Sequence, residues 1–266
     1  MDIIQRNNIH VTGNPDSPQT LVFAHGFGID QTSFSKVIPS FEHDYKIVLF
    51  DNAGGGKADK KAYSPKRYES IHGYVTDAAD IIQALDLRSV TFIGHSVSGI
   101  TGLLASVHYP GIIDKLVLLG SSPRYLDDPK DGYTGGFDHH ALNSLFEAME
   151  ANYHAWAAGF SKLAMRNEDR PELAASFARS LENIRPDIAI QVAKAIFYLD
   201  YREVLSKVTL PVLVVQTAND IAVPAVVSEY LEAHIPNSRR IKVETEGHFP
   251  HISAPEEVIA AIQSFL

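Results

Sequence analysis

The chain has 266 residues, of which 45% are hydrophobic and 21% charged, so it is too apolar for disorder and too evenly interrupted for a membrane span. That length suits one large α/β domain or two smaller ones with a substantial buried core. Cysteine is absent, which excludes disulfides, a thiolate zinc site and a cysteine nucleophile, and a net charge of −9 argues against general nucleic-acid binding, which needs a basic face.

From the N-terminus, Met1-Asp-Ile-Ile-Gln-Arg-Asn-Asn8 carries too short an apolar run for a secretion signal, so a cytoplasmic location is expected. Ile3-Ile4 and residues 9–11 predict an initial hairpin. Short apolar runs follow at 21–24, 47–50, 90–93, 116–119, 212–215 and 241–243. Their nearly continuous hydrophobicity marks strands covered on both faces, as in a parallel sheet. Residues 74–87, and the stretch from Ser96 to Tyr109, predict crossover helices, the second stopped at Pro110-Gly111. This alternation is the rhythm of a doubly wound α/β domain.

The rhythm breaks between about Arg124 and Lys207, where helices occur without strands. Leu142, Leu145, Phe146 and Met149 fall at i, i+3, i+4 and i+7. Trp156, Phe160 and Leu163, then Leu173, Phe177 and Leu181, continue the pattern, and 188–199 adds a further helix introduced by Pro186. The expected organisation is therefore an α/β core over residues 1–123 and 208–266, with a helical lid over 124–207. Such an insertion sits above the strand C-termini, where open α/β sheets bind ligands.

Gly94-His95-Ser96-Val97-Ser98-Gly99 ends one predicted strand and opens a helix, the sequence form of a nucleophile elbow, with Ser98 where the usual pattern has its second glycine. A serine needs a base to become nucleophilic. His248, in the loop after the predicted strand 241–243, is the candidate, and His251 competes for the role; the place of His248 directly after Gly247 favours it. Asp220, after the strand 212–215, is the candidate to orient the imidazole, although Asn219-Asp220 is also ordinary turn chemistry. Ser96, Asp220, His248 is the chain order of α/β-hydrolase triads. Ala24-His25-Gly26-Phe27-Gly28 follows an early strand and supplies a second oxyanion donor, the Phe27 N–H, beside that of Val97. His25 and His95 read as wall residues rather than bases. Ala53-Gly54-Gly55-Gly56-Lys57-Ala58 lacks the hydroxyl residue and first glycine of a phosphate loop and reads as a flexible turn. His139-His140 and the pair His248 and His251 lack a third ligand, so no metal and no cofactor is assigned.

These features carry a resemblance. His25-Gly-Phe-Gly-Ile-Asp-Gln31, Gly94-His-Ser-Val-Ser98, Ser122-Pro-Arg-Tyr125, Gly135-Gly-Phe137, Glu150-Ala-Asn-Tyr-His-Ala-Trp156, Arg185-Pro-Asp-Ile188, Asp220-Ile-Ala-Val-Pro224 and Gly247-His248 resemble the α/β-hydrolases that include the bacterial stress-pathway regulator RsbQ and the plant strigolactone and karrikin receptors. Ser98 in place of the second glycine is itself similar to the plant members. The resemblance implies the α/β-hydrolase fold, a triad of Ser96, Asp220 and His248, and an oxyanion hole from Phe27 and Val97. It also implies an apolar pocket lined by Phe27, His95, Tyr125, Leu145, Trp156, Phe160, Phe177, Phe197, Ala222 and Phe249, suited to a small hydrophobic lactone or ester. Asn52-Ala-Gly-Gly-Gly-Lys57 departs from the usual loop of the broader superfamily. Arg166-Asn-Glu-Asp-Arg-Pro171 looks bacterial, whereas Pro224-Ala-Val-Val-Ser-Glu-Tyr230 looks plant-like. The leading expectation is a serine hydrolase of butenolide-like lactones or esters. The alternatives are a ligand sensor, hydrolysing slowly and acting on a signalling protein through its lid, and a promiscuous carboxylesterase. No nucleic-acid or membrane partner is expected.

Overall fold

The computed structural model describes residues 2–266. Its first element is a one-turn helix, α1 (Ile3–Arg6), whose N-terminus is capped by Asp2; the Asp2 carboxylate accepts the Ile4 N–H at 3.3 Å. The expected hairpin of Ile3-Ile4 with residues 9–11 is thus replaced by a capped turn followed by a single strand, β1 (His10–Gly13). Asn8, in the left-handed region at φ 44°, turns the chain between them, and β1 finds its partner in a distant strand rather than in its own neighbour. A good N-cap satisfies backbone donors that a two-residue apolar run cannot satisfy by pairing.

The strands β2 (Thr20–Ala24), β3 (Lys46–Phe50), β4 (Val90–His95), β5 (Lys115–Leu119), β6 (Val212–Ala218) and β7 (Ser238–Glu246) all run parallel, and β1 pairs antiparallel with β3. The order across the sheet is β1-β3-β2-β4-β5-β6-β7. The central strands β2 and β4 are buried along their whole length, as their unbroken apolar character requires, while the edge strand β7 alternates. Successive side chains feed two cores: Val22, Phe92, Leu116 and Leu118 face one, and Phe23, Ile93, Val117 and Leu119 the other.

On the first face lie α2 (His72–Ala84) and α3 (Val97–His108). Between β5 and β6 come α4 (His139–Ala151), α5 (Tyr153–Met165), α6 (Pro171–Glu182) and α7 (Pro186–Phe197), with no strand of the sheet among them. Asp138 and Asn152 cap α4 and α5 through their side chains, and prolines open α6 and α7. After β6 and β7 come helices outside the sequence expectation: α8 (Ala225–His234), the short α9 (Pro250–Ser253) and α10 (Pro255–Gln263), the last covering the second core with Val258 and Ile262. No helix among the described residues is long and apolar enough to cross a membrane.

The junction of β4 and α3 is the tightest point. A Cβ on Gly94 would lie 2.4 Å from the Gly99 nitrogen and 2.5 Å from its Cα, and one on Gly99 would lie 2.1 Å from Ser121 Oγ. Gly99, one position later than the usual motif places it, therefore provides the close approach of helix to strand. Because backbone cannot retreat as a side chain can, Gly94→Ala is expected to lower unfolding free energy by about 2–3 kcal/mol or more. Urea denaturation checks this, and an unchanged midpoint would contradict the packing described.

Candidate active site

Ser96 stands between β4 and α3 at φ 56°, ψ −128°, a conformation that L residues adopt only under constraint. Its N–H donates to Leu119 O at 2.8 Å, which pins the turn to β5, and Ser96 is 5% exposed. Ser96 Oγ donates to His248 Nε2 at 2.8 Å, and His248 Nδ1 donates to Asp220 Oδ2 at 2.8 Å. The three residues come from 124 and 28 positions apart in the sequence, brought together by the C-terminal ends of β4, β6 and β7.

Asp220 combines the two roles that its sequence context suggested. Its Oδ1 accepts the N–H groups of Ala222 at 2.8 Å and Val223 at 3.1 Å, as a turn-capping carboxylate does, leaving Oδ2 for the imidazole. His251 does not reach Ser96. It is fully buried, its ring stacks on Phe34 with centroids 4.6 Å apart, and neither ring nitrogen has a hydrogen-bond partner among the described residues.

The main chain around His248 is held from three sides. The His248 N–H donates to Ala164 O at 2.8 Å, at the C-terminal end of α5. The His248 carbonyl accepts His95 Nε2–H at 2.8 Å, and Thr217 Oγ1 donates to Gly247 O at 2.6 Å. Gly247 lies at φ 84°, and a Cβ there would come 2.4 Å from Met165 O. His95, expected in the pocket wall, therefore lies behind the histidine loop with no exposure and braces it.

The loop after β2 lies against the serine: a Cβ on Gly26 would approach Ser96 Cβ to 3.0 Å and His95 Nδ1 to 2.5 Å. Three polar side chains hold this loop. Ser98 Oγ donates to His25 O at 2.6 Å, and Asn52 Nδ2 donates to His25 O at 2.9 Å and to Ser98 Oγ at 3.2 Å. The Asn52 N–H donates to His25 Nε2 at 3.0 Å, so the proton of that ring sits on Nδ1, which donates to Gly26 O at 2.8 Å. The serine that replaces the motif's second glycine is thus a strut between α3 and the loop. Sequence reading gave Asn52 only as part of the departing loop; a polar residue two positions beyond the C-terminal end of β3 is the signal that marks it. Val97 is the first residue of α3, so its N–H has no carbonyl one turn earlier, and the Phe27 N–H takes part in no hydrogen bond among the described residues.

Of the remaining expected pocket residues, the structure joins several into a wall of rings. Trp156 and Phe160 stack at 5.0 Å, Phe160 and Phe177 lie 6.2 Å apart, Phe177 and Phe249 4.4 Å, and Phe249 and His248 5.3 Å. On the other flank Tyr125 packs edge-on to Phe197 at 5.2 Å, and its hydroxyl lies 3.5 Å from Ser96 Oγ. Leu145 packs partly buried against the first core, and Ala222 is buried within it. Phe27 touches both this core and the ring cluster. A small cavity of about 40 Å³ opens against Phe27, bordered by Val97, residues 52–55 and the face of α7 that carries Ile188, Ala189 and Val192. Phe27 is the only member of the expected lining set that borders it.

Residues 19–255 match the family model of the alpha/beta hydrolase fold. The chain belongs to the α/β-hydrolase family. Among curated α/β-hydrolase relatives, the strigolactone esterase RMS3 of Pisum sativum is 41% identical over 95% of this chain and 94% of its own length. The Karrikin insensitive 2 receptor CA of Petunia hybrida is 39% identical, covering 98% of this chain and 96% of its own. Among solved structures, a hydrolase from Oleispira antarctica superposes with a TM-score of 0.95 at 35% identity, covering 99% of this chain and 96% of its own.

Burial governs the ionisation of the groups around the α/β-hydrolase elbow. It pushes the Tyr125 phenol well above its ordinary value, so the hydroxyl beside Ser96 stays protonated. Burial, reinforced by the neighbouring imidazoles, holds His95 well below the usual histidine value and lowers His251 to about 3. A histidine kept neutral in the fold takes up a proton in the unfolded chain from about pH 6.5 downward, so the native state is fully favoured above that pH and loses ground as pH falls towards 3. Stability is therefore expected to drop between pH 6.5 and 5 by up to about 1.4 kcal/mol per pH unit for each of these histidines. Denaturant unfolding across that range checks it: His251→Phe should flatten the slope, and an unaltered slope would contradict the assignment.

Proposed function

We propose that this protein is a serine hydrolase of small hydrophobic lactones and esters, of the butenolide-like kind that strigolactone esterases and karrikin receptors are named for. The observation that carries the reading is the pair of 2.8 Å hydrogen bonds that run from Ser96 through His248 to Asp220 across a buried site. Ser96 Oγ attacks the ester carbonyl carbon as its proton passes to His248 Nε2. Asp220 holds the ring in the tautomer that can accept it and stabilises the imidazolium. The carbonyl π pair moves onto oxygen, where the N–H groups of Val97 and Phe27 face it. When the intermediate collapses, His248 returns the proton to the leaving oxygen; water, deprotonated by the same histidine, then releases the acid from Ser96. Residues 124–207 serve as a lid, and the ring wall of Trp156, Phe160, Phe177 and Phe249 supplies an apolar surface for the ligand beside the base.

A second reading, a ligand sensor with slow or single turnover that acts on a partner protein, is favoured by one contact. The His248 N–H is bound to α5 of the lid, so movement of the lid and placement of the base are mechanically linked. Relatives that carry the name of receptors support the same reading.

A progress curve for a fluorogenic butenolide separates the two. Sustained turnover supports the enzyme, and a burst of one equivalent followed by arrest supports the sensor. Ser96→Ala should lower hydrolysis by about 10⁴-fold or more, and Asp220→Asn by about 10⁴-fold. Retention of activity in folded Ser96→Ala would overturn both readings.

A further inference from the structure

We propose that the cavity beyond Phe27 is the acyl subsite, taking an unbranched, uncharged acyl group of a few carbons while the leaving group lies against the ring wall. The proposal rests on the hydrolase reading and adds to it a direction and a chemical class of substrate.

The direction follows from the tetrahedral intermediate. Its carbon carries four groups: Ser96 Oγ, the oxyanion, the leaving oxygen and the acyl carbon. His248 Nε2, 2.8 Å from Oγ, must hand its proton to the leaving oxygen, so the leaving group stays on the histidine side, where Phe249 and Phe177 stand. The oxyanion faces the Phe27 and Val97 N–H groups. The acyl carbon takes the direction that remains, away from the base. The cavity borders Phe27 and Val97, the two oxyanion donors, and none of Ser96, Asp220 and His248, which is the lining expected of a subsite on the oxyanion side.

The chemical class follows from the walls. The side-chain donors there are already used: Asn52 Nδ2 on His25 O and Ser98 Oγ, Ser98 Oγ on His25 O, Thr101 Oγ1 on Val97 O at 3.1 Å, and Tyr74 OH on Ala53 O at 3.2 Å. Among the described residues no lysine or arginine borders the cavity, so none there compensates a charged end group. The α7 face is aliphatic and small, and the loop opposite it is Asn52-Ala53-Gly54-Gly55. A Cβ on Gly54 would stand 2.8 Å from Ile188 Cγ2, so a larger residue would press into the α7 wall. The departure of this loop from the usual superfamily sequence is thereby given a role: it leaves room for the acyl chain.

The test uses p-nitrophenyl acetate, butyrate and hexanoate, which share one leaving group. In the wild type, kcat/KM is expected to rise from acetate to butyrate by about fourfold per methylene. Val192→Phe places a ring in the cavity from a half-buried position on α7 and should bring the butyrate-to-acetate ratio down towards one. Ile188→Ala widens the same wall and should raise the hexanoate-to-butyrate ratio at least about threefold. Ratios taken within one variant cancel any loss of folded protein. Ratios unchanged in both variants would overturn the proposal. So would a shift in preference among acetate esters of different alcohols with acyl preference intact, which would make the cavity a leaving-group site. Hydrolysis of the acetate that survives Ser96→Ala would overturn the hydrolase reading itself, whatever the ratios.

Discussion

Everything at the site depends on the backbone of Ser96, held at positive φ where β4 turns directly into α3. A non-glycine residue in such a conformation costs on the order of 1–3 kcal/mol, and it persists only because its surroundings leave no alternative. Here the surroundings are specific. The Ser96 N–H is tied to β5, Gly94 and Gly99 touch backbone to backbone, and Ser98 fastens the first turn of α3 to the loop after β2. The turn brings Oγ within hydrogen-bond distance of His248, and the next residue, Val97, opens α3 with an N–H that has no intrahelical acceptor. One turn thus sets the Ser96 hydroxyl and the free first N–H of α3 side by side.

His248 is positioned differently, by contacts from separate parts of the chain. Its ring is oriented by Asp220, its carbonyl by His95, and its N–H by the end of α5. The last contact ties the histidine loop to the end of α5, so the placement of the imidazole and the position of that helix are not independent. Close by, Arg166 and Asn167 both adopt positive φ, and the Asn167 side chain donates to Met165 O at 2.8 Å and Glu246 O at 3.1 Å. The junction between α5 and the histidine loop is therefore a built one, with strained backbone held by side-chain hydrogen bonds.

Much of the fold was legible because its strands are buried on both faces and announce themselves as unbroken apolar runs; 116–119 and 212–215 needed no partner information to be read. The N-terminus was not, since Ile3-Ile4 is too short to show a period and the cap at Asp2 decides its structure. At the site, Ser96, Asp220 and His248 were legible through motif, loop position and chain order. The choice between His248 and His251 needed the direction of each ring, which sequence does not carry. The cavity walls were the least legible part. Aromatic residues such as Trp156 and Phe249 draw attention, whereas Ile188, Ala189 and Val192 on α7 look the same in sequence whether a helix faces a core or an empty space. His95 shows the converse: a motif residue next to the nucleophile turned out to support the base from behind.

The measurement that tests the central claim most directly is peptide mapping by mass spectrometry after reaction with a fluorophosphonate, which phosphonylates an activated serine. The expected result is one adduct per chain, on the peptide that contains Ser96, formed quickly by the wild type and much more slowly by His248→Ala. An adduct on a different residue, or equal labelling with and without His248, would contradict the claim that the elbow and the histidine loop together activate Ser96.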